Sequence, residues 1–542
     1  MRKTLLFCFL TFILVMVPVL GACSNETTTT PAAPASTAKT TTSAAPTTSA
    51  AAAASVKINV ALSSPLTTID PTVSGGGGSQ ATILNVFEPL LNLDTNNKLI
   101  PNLVESWSMA ADGKSLSMKL YSGLKFSSGD PVTSADVKWT LERYAANPGP
   151  TSAQLTQNFS GVEIIDDLNF KFVFPDINVQ FLPQTCAGQM FILSKTQYDR
   201  EGEDGWLKAP AGTGPYKITN WKEGQYVDLT YNDQYRGKKP QITDAHFIYT
   251  TDPATRVSQL QAGEVDMIYD VLPSSVAQLA NAGYSRFDVV QPHDITLQFA
   301  FMTSDLPWSK VEVRKAIDYV IDKDLLNQKL FGGVFQKAVW QMPWELGYDA
   351  SLDPAYKVDL AKAKDLMSQA GYAKGFEMPL YFPGFMSWGK DMVDYLTSAL
   401  AQINITVKPM SIADFGSFMG TANKLHADPS QSGVLLFDNG WPGNPDPVIN
   451  LTNGFYSIKD NTLFKNPDLD ALISQALKTI DDTARANLVH QAYQIINDTL
   501  PFVPIALEVT VTVAKSNISY TPSVGNANTN SSPACLFDLT VK

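Results

Sequence analysis

Gly212-Thr213-Gly214-Pro215-Tyr216 is the stretch of this chain that decides the fold. Its two glycines carry no Cβ, so they permit a tight turn and let another backbone come close. Pro215 then fixes φ, and a strand can begin at Tyr216. Such a pattern is typical of scaffold rather than of a ligand contact, so we interpret this turn as structural.

Alternating apolar residues on both sides of this turn predict strands with one buried face. They occupy residues 56–60, 116–120, 170–174 and 227–231. Apolar residues at helical spacing dominate later, and Asp359, Gly371, Gly332 and Pro467 stand where caps or first turns belong. These helices are predicted at residues 313–332, 360–370, 392–403, 467–477 and 488–496, with strand-like runs at 405–407 and 434–437. Strand and helix alternate here, which predicts an α/β architecture.

The N-terminus has the pattern of a secretory leader. Arg2 and Lys3 precede a short apolar run that Pro18 interrupts, and small residues follow. Leu20-Gly21-Ala22-Cys23 resembles the lipobox of bacterial lipoproteins, in which cleavage before the cysteine leaves a lipid-modified N-terminus. We therefore expect residues 1–22 to be a signal peptide and residues 23–55 to be a disordered Thr/Ala/Pro/Ser tether. The protein would be extracytoplasmic, in the periplasm or on the cell surface, and held to the membrane only by Cys23.

The charge and the histidines exclude several classes of function. A formal net charge of −12 argues against nucleic acid or anionic lipid as partner, since both need basic patches. The four histidines are far apart and lack metal-ligand spacing, so we expect no metal site and no cofactor. We expect a monomer.

Two cysteines remain once Cys8 is assigned to the leader and Cys23 to lipidation. Cys186 and Cys535 would then share an oxidising compartment, in which such a pair can form a disulfide. The sequence does not give the distance between their Cα atoms, so the bridge stays open at this point.

A series of short motifs resembles the family 5 extracellular solute-binding proteins of ABC importers, which include oligopeptide-, dipeptide- and nickel-binding lipoproteins. The 212–216 turn matches the family's G-T-G-P-Y in full, and the other motifs match in the family's order. They lie at residues 69–71 with 86–90, 101–107, 124–137, 260–266, and 313–317 with 321–323.

The resemblance implies a two-lobed clamp like the periplasmic binding proteins, of the class II or cluster C type, with an extra domain in lobe 1. It implies a lobe 1 core of residues 56–90, 208–295 and 505–542, an extra domain of residues 91–207, and a lobe 2 of residues 296–504. Ligand would bind between the lobes and pass to the importer's permease and ATPase subunits.

The anchor for a peptide's ammonium group departs from the family pattern. In peptide-binding members an Asp shortly after a Trp holds this group. Here Trp441 is followed by Asn444, which can accept a hydrogen bond but cannot neutralise an ammonium. Asp446 could substitute if the loop shifts. Trp441, between Gly440 and Pro442, is expected to contact ligand.

Other candidate ligand contacts are aromatic or main-chain. Phe385 and Trp388 belong to an aromatic group in the C-terminal half, together with Phe382, Trp340 and Trp344, whose rings suit peptides, sugars or a packed core. Ser74 and Gly75 begin a run where family members let an extended ligand pair with main chain.

Three functions follow from these features. The first is capture of an oligopeptide or dipeptide for import. The second is the same clamp binding an oligosaccharide or another uncharged solute, which Asn444 favours. The third, an extracellular hydrolase, is disfavoured because the chain has no Gly-x-Ser-x-Gly, His-Glu-x-x-His or phosphate-binding motif.

Overall fold

A computed structural model describes residues 55–66, 68–73, 77–96, 98–147, 158–300, 305–354, 357–386, 388–427, 432–439, 446–457, 464–523 and 535–542. The chain divides into a unit of residues 1–54 and a compact unit of residues 55–542. The predicted leader, Cys23 and nearly all of the tether lie outside the described residues. No helix within the described ranges is both long and apolar enough to span a bilayer.

The strands of the described residues are β1 (Lys57–Leu62), β2 (Leu91–Leu93), β3 (Leu99–Pro101), β4 (Val104–Met109), β5 (Ser115–Leu120), β6 (Gly161–Ile164), β7 (Asn169–Val173), β8 (Tyr216–Lys222), β9 (Tyr226–Tyr231), β10 (Asp244–Tyr249), β11 (Met267–Ile268), β12 (Ser285–Ala300), β13 (Phe376–Pro383), β14 (Ile405–Ile412), β15 (Gly433–Asn439), β16 (Phe502–Ala514), β17 (Ile518–Tyr520) and β18 (Leu539–Val541).

The α-helices of the same residues are α1 (Gly77–Val86), α2 (Ser134–Ala146), α3 (Lys195–Trp206), α4 (Pro253–Ala262), α5 (Pro273–Asn281), α6 (Val311–Val320), α7 (Lys323–Phe331), α8 (Leu360–Gln369), α9 (Gly389–Ala401), α10 (Phe415–Ala427), α11 (Pro447–Gly454), α12 (Pro467–Ala476) and α13 (Asp482–Thr499). A π-helical segment, Phe181–Gln189, follows β7.

The sequence patterns located most of these elements correctly. Asp359 caps α8 by accepting a hydrogen bond from the Lys362 N–H, and Gly371 beyond its end has φ +83°. Pro467 is the first residue of α12, and the Asn466 side chain caps it. The predicted helix at 313–332 is instead two helices, because Ile321 is extended and the Asp322 side chain caps α7 at Leu325 N–H. Gly332 ends only the second of them, at φ +57°.

One sheet of ten strands runs through the described body, in the order β14-β13-β15-β12-β16-β11-β1-β10-β9-β8. Its central pair, β12 and β16, is antiparallel and far longer than its neighbours. Residues 285–290 of β12 pair with 509–514 of β16, and 294–298 pair with 502–507. The register shifts between Val290 and Asp294 and again after Ile295. Irregular register of this kind bends a strand pair, so we interpret this region as the crossover between the two lobes that the family resemblance predicts.

Three large hydrophobic clusters occupy the described body. The main core lies against β12, β13, β14, β15 and β16 and the helices α6–α9 and α11–α13, and extends to α4 and α5. The N-terminal core gathers Val60, Phe87, Trp206 and Tyr216 around β1 and β8–β10. The four-strand core lies between α2 and the sheet β4-β5-β7-β6. The domain boundaries drawn from the sequence stay a prediction.

The expected disulfide is absent from the structure. Neither Cys186 nor Cys535 is in a disulfide. Cys186 is fully buried in the four-strand core, whereas Leu536, next to Cys535, is fully buried in the N-terminal core. The two cysteines thus belong to separate packing units. Burial also raises the pKa of the Cys186 thiol, which keeps it protonated.

The Gly212–Tyr216 turn docks against the end of α1. A Cβ on Gly212 would lie 1.9 Å from the Val86 carbonyl oxygen, and one on Gly214 would lie 2.8 Å from the Asn85 oxygen. The Gly214 N–H donates to the same Val86 oxygen at 2.9 Å. Only glycine permits this approach, which supports a scaffold role for the turn.

Glu88 lies beside this turn and is buried. Burial raises the pKa of its carboxyl to about 7, against the opposing effects of Arg236, Thr213 and Asn102. Asn102 in turn accepts a hydrogen bond from Arg236 and donates to the Pro89 oxygen at 2.8 Å. Motifs from three parts of the sequence therefore meet around one carboxyl group.

Glu88 should make stability depend on pH. Its pKa rises from 4.5 to about 7 on folding, so its favourable contribution is complete below pH 4.5 and is lost as the pH rises through 7. The free energy of unfolding of the wild type should fall over that window by on the order of 3 kcal/mol more than that of Glu88→Gln. Denaturant titrations at several pH values measure this difference.

Glu163→Gln is the matched control, since that side chain is exposed and pairs only with Lys171 at the surface. The same pH profile in wild type and Glu88→Gln would contradict the assignment.

Candidate functional site

Lobe 2 presents the carboxyl ends of its parallel strands at one edge. β13 pairs in parallel with both β14 and β15. The connections that follow β13 and β15 therefore leave the sheet at the same edge. The first contains Phe385 and Trp388, and the second leads to Asp446. Asp294 of β12 stands opposite Asn439, the last residue of β15, so this edge borders the hinge.

Lobe 1 has the same arrangement on the other side of the hinge. β1 pairs in parallel with β10 and with β11, so these three strands also end at one edge. β11 runs antiparallel to β16, and the Val271 N–H just beyond it donates to the Val511 oxygen at 3.0 Å. Toward their carboxyl ends these strands thus approach the crossover near Leu507.

The two edges approach the same part of the β12 and β16 pair. In open α/β sheets, ligands bind outside the carboxyl ends of the strands. Here both lobes turn those ends toward the β12–β16 crossover, so we take the cleft between them as the candidate site.

Phe385 and Trp388 are both at the lobe 2 edge. Phe385 is 39% exposed, and its ring meets Phe418 edge-on at 6.4 Å between centroids. Phe418 stacks in turn on Phe437 of β15 at 5.3 Å. Trp388 directly precedes α9 and packs partly against the main core. An aromatic row thus links the connection after β13 to the strand that leads to residue 446.

The other aromatic candidates divide between core and surface. Trp340 and Phe382 are buried in the main core, whereas Trp344 is 36% exposed. Trp441, Asn444, Ser74 and Gly75 lie outside the described residues, so their contacts with a ligand stay a prediction.

Asp446 has two partners within lobe 2. It caps α11 by accepting a hydrogen bond from the Val448 N–H at 2.9 Å, and its other oxygen pairs with Arg485 of α13. Both side chains are almost entirely buried. A ligand's ammonium would have to compete with Arg485 for this carboxylate, and contact between Asp446 and a ligand stays a prediction.

A buried polar network lies under this edge, and the sequence analysis missed it. Glu345 accepts hydrogen bonds from the Asn450 side chain at 2.9 Å and from the Met342 N–H at 3.0 Å. Tyr493 of α13 is fully buried beside it. Burial, and then the charge of Glu345, raise the Tyr493 pKa well above its usual value, so the phenol stays neutral. No local motif marks these residues, because they meet only through the packing of α11 and α13.

One buried arginine in each lobe holds the loops in place. Arg256 donates to the carbonyl oxygens of Tyr269, Thr250, Thr251 and Asp270, at 2.7–3.0 Å. These oxygens follow β10 and β11, so Arg256 fixes the lobe 1 edge.

Arg314 is the counterpart in lobe 2. It donates to the Leu500 and Trp308 oxygens at 2.8 and 2.7 Å, and also to those of Ser309 and Thr499. Burial lowers its pKa to about 10, which still leaves it charged.

The loop that leads toward Ser74 is fastened to α2. Asp70 pairs with Arg143 at 2.5 Å, and Thr72 accepts a hydrogen bond from the Asn147 side chain at 3.1 Å. Arg143 also lies over the ring of Trp206, 4.8 Å from its centroid. These contacts fix the positions of Asp70 and Thr72, which precede the predicted main-chain contact with a ligand at Ser74 and Gly75.

Within the described ranges, no group of three or more His, Cys, Asp or Glu side chains could hold a metal ion. His246 pairs with Asp228 at 2.7 Å, and His490 lies 3.8 Å from Asp349. The edges offer aromatic faces and hydrogen-bonding groups, which suit reversible binding of an organic solute.

The Asp446–Arg485 pair should be strongly stabilising in this context. Asp446→Asn keeps an oxygen that can cap α11 but leaves the Arg485 charge buried without its partner. The free energy of unfolding should fall by about 3–5 kcal/mol. Asp446→Asn combined with Arg485→Leu should cost less than the sum of the two single changes. Chemical denaturation measures all three variants.

The control is Asp394→Asn, which removes an exposed pair with Lys390 and should cost at most about 1 kcal/mol. An equally small loss for Asp446→Asn would overturn this assignment.

Known proteins share this architecture along most of the chain. The glutathione-binding protein GsiB of Escherichia coli (strain K12) is 26% identical over 471 residues, covering 85% of this chain and 90% of that protein. GsiB of Salmonella paratyphi A gives the same figures.

Solved structures agree in fold. NikA from Brucella suis in complex with Fe(III)-EDTA has a TM-score of 0.78 at 23% identity, covering 90% of this chain and 100% of that one. The periplasmic binding protein DppA from Helicobacter pylori, in complex with the peptide STSA, has a TM-score of 0.70 at 21% identity, covering 90% and 98%.

The model of the bacterial extracellular solute-binding proteins, family 5 Middle, matches residues 98–462, which is more than half of the chain. With the two-lobed α/β fold, this match shows that the chain belongs to family 5 of the bacterial extracellular solute-binding proteins.

Proposed function

We propose that this protein captures a short peptide-like solute in the hinge cleft and delivers it to the membrane subunits of an ABC importer. Family 5 members are non-enzymatic binding proteins of transporters, and no hydrolase is proposed. The observation that carries the proposal is the meeting of two strand edges at the β12–β16 crossover, where a ligand would touch both lobes at once. Such a ligand favours the closed arrangement of a hinged clamp.

A peptide-like ligand is supported by the relatives and by the chemistry of the edge. GsiB is named for glutathione, and the related DppA structure holds the peptide STSA. The exposed ring of Phe385 offers an apolar face for side chains or peptide planes. Asn444 supplies no charge, and Asp446 pairs with Arg485. We therefore propose that the ligand's ammonium group is held by neutral acceptors or is absent, as in a modified or capped peptide.

An uncharged solute such as an oligosaccharide is the second candidate. The neutral Asn444 favours it, since a hydroxyl-rich ligand needs hydrogen bonds rather than a counter-charge.

A thermal-shift screen of residues 55–542 separates these candidates, because a ligand that binds the native state raises the melting temperature. Shifts with glutathione, dipeptides or tripeptides are expected. Asn444→Asp should then tighten binding of a peptide with a free ammonium about 10- to 100-fold, the effect of adding a charge-assisted hydrogen bond. The same peptide with an acetylated N-terminus is the control and should gain nothing. Shifts with oligosaccharides alone would overturn the peptide assignment.

We also propose that Cys23 carries a lipid anchor and that the protein is held at the membrane through it alone. The lipobox-like Leu20-Gly21-Ala22-Cys23 supports this. A single acyl chain binds membranes only reversibly, so a stable anchor needs the multiple acyl chains of a lipoprotein.

Cys23→Ser should abolish incorporation of a labelled fatty acid and move the protein from the membrane fraction to the soluble fraction. Cys535→Ser is the control and should change neither result. Full labelling of Cys23→Ser would show that the anchor lies elsewhere.

A further inference from the structure

The two lobes also meet at a place that involves neither crossover strand. On the lobe 1 side are the turn at Gly113, between β4 and β5, and Ile177, just beyond β7. On the lobe 2 side is Ile480, in the link between α12 and α13. We call Gly113, Ile177 and Ile480 the lobe seam.

Gly113 provides the space in which the two isoleucines sit. Its φ is +67°, and a Cβ at this position would lie 2.9 Å from Cγ2 of Ile177 and 3.1 Å from Cδ1 of Ile480. Both side chains therefore lie against the backbone of the same glycine. The lack of a side chain at Gly113 lets apolar atoms from both sides approach one backbone position.

Both sides of the lobe seam are held in place by their own lobe. The Gly113 N–H donates to the Ala110 oxygen at 2.9 Å, and the Asn178 N–H donates to the Gly113 oxygen at 3.3 Å. Across the seam, the Thr479 hydroxyl donates to the Gln475 oxygen at 2.8 Å, and Asp481 caps α13. The contact therefore joins two surfaces that are formed independently of each other.

Packing at the lobe seam is incomplete, which suits a contact that opens. Ile480 remains 39% exposed. Beside it lies a cavity of about 260 Å³, lined from both lobes by residues that include Asn178, Gln180 and Leu477. Nε2 of Gln180 is buried there without a hydrogen-bond partner. A permanent domain interface would pack to the density of a protein interior.

We propose that the lobe seam is a latch: Ile480 seats on Gly113 and Ile177, holds the lobes together in the absence of ligand, and slows ligand release. The latch acts on the closed arrangement, so it does not depend on which solute the cleft takes. The latch contributes the same free energy to closure of the lobes whichever ligand binds. The apparent affinity for any ligand therefore rises with the fraction of protein that is closed.

Gly113→Ala tests the latch because the added methyl group would occupy the space that Ile177 and Ile480 fill beside Gly113. Gly123→Ala is the matched control: Gly123 has φ +76°, so alanine suffers the same backbone strain there, but its Cβ would meet nothing within 4 Å. Small-angle X-ray scattering of the ligand-free full chain should give a larger radius of gyration for Gly113→Ala than for wild type or Gly123→Ala. The ratio of closed to open protein should fall about tenfold.

Ile480→Asp tests the same contact from the other lobe and covers the case in which Gly113→Ala does not fold. Its side chain already borders solvent, so the lobe itself should tolerate the change. Ile480→Asp should open the ligand-free protein as Gly113→Ala does, with an unchanged circular-dichroism spectrum. A folded Ile480→Asp variant with the wild-type radius of gyration would overturn the proposal.

Discussion

The pairing of β12 with β16 is the constraint on which the rest of the molecule depends. Every other strand of the ten-stranded sheet connects to this antiparallel pair directly or through its neighbours. The pair sets the direction of the parallel strands in both lobes, and so it decides that their carboxyl ends face each other. The register shifts near Asp294 interrupt the ladder at the place where the two edges meet. The β12 and β16 pair thus combines regular pairing within each half of the sheet with irregular pairing between the halves.

Buried charges serve this arrangement by fixing loops within each lobe. Arg256 and Arg314 each donate to four carbonyl oxygens of connecting segments. Asp446, which caps α11, pairs with Arg485 of α13. Buried charged groups need internal hydrogen-bond partners, and Arg256 and Arg314 find them at the ends of strands and helices. The described loops at the two edges are therefore held in place by contacts within the protein.

Local features of the fold could be predicted from sequence, and long-range ones could not. Asp359 and Gly371 bound a helix through contacts with near neighbours, so their pattern is visible in the sequence. The capping role of Asp446 is local as well, but its pairing with Arg485 joins residues far apart in the chain. Cys186 and Cys535 suggested a bridge by elimination, whereas Cys186 packs in the four-strand core and Leu536, next to Cys535, packs in the N-terminal core. The sequence pattern does not reveal the helix break at Ile321, because the apolar spacing continues through that residue. The Asp322 side chain, which caps α7, explains the break.

The continuity of the sheet through both lobes has a consequence for the thermodynamics of capture. Two bodies joined by a loose linker would lose many rotations and translations when a ligand fixes them together. Here the strands β12 and β16 already suppress sliding and separation, which leaves twisting about their own axis as the soft coordinate. In the proposed mechanism, a ligand therefore removes little relative freedom when it closes the clamp, and more of its contact energy remains as affinity. The sheet therefore resists twisting between its two halves. Substitutions at the irregular pairs near Asp294 alone would change that resistance.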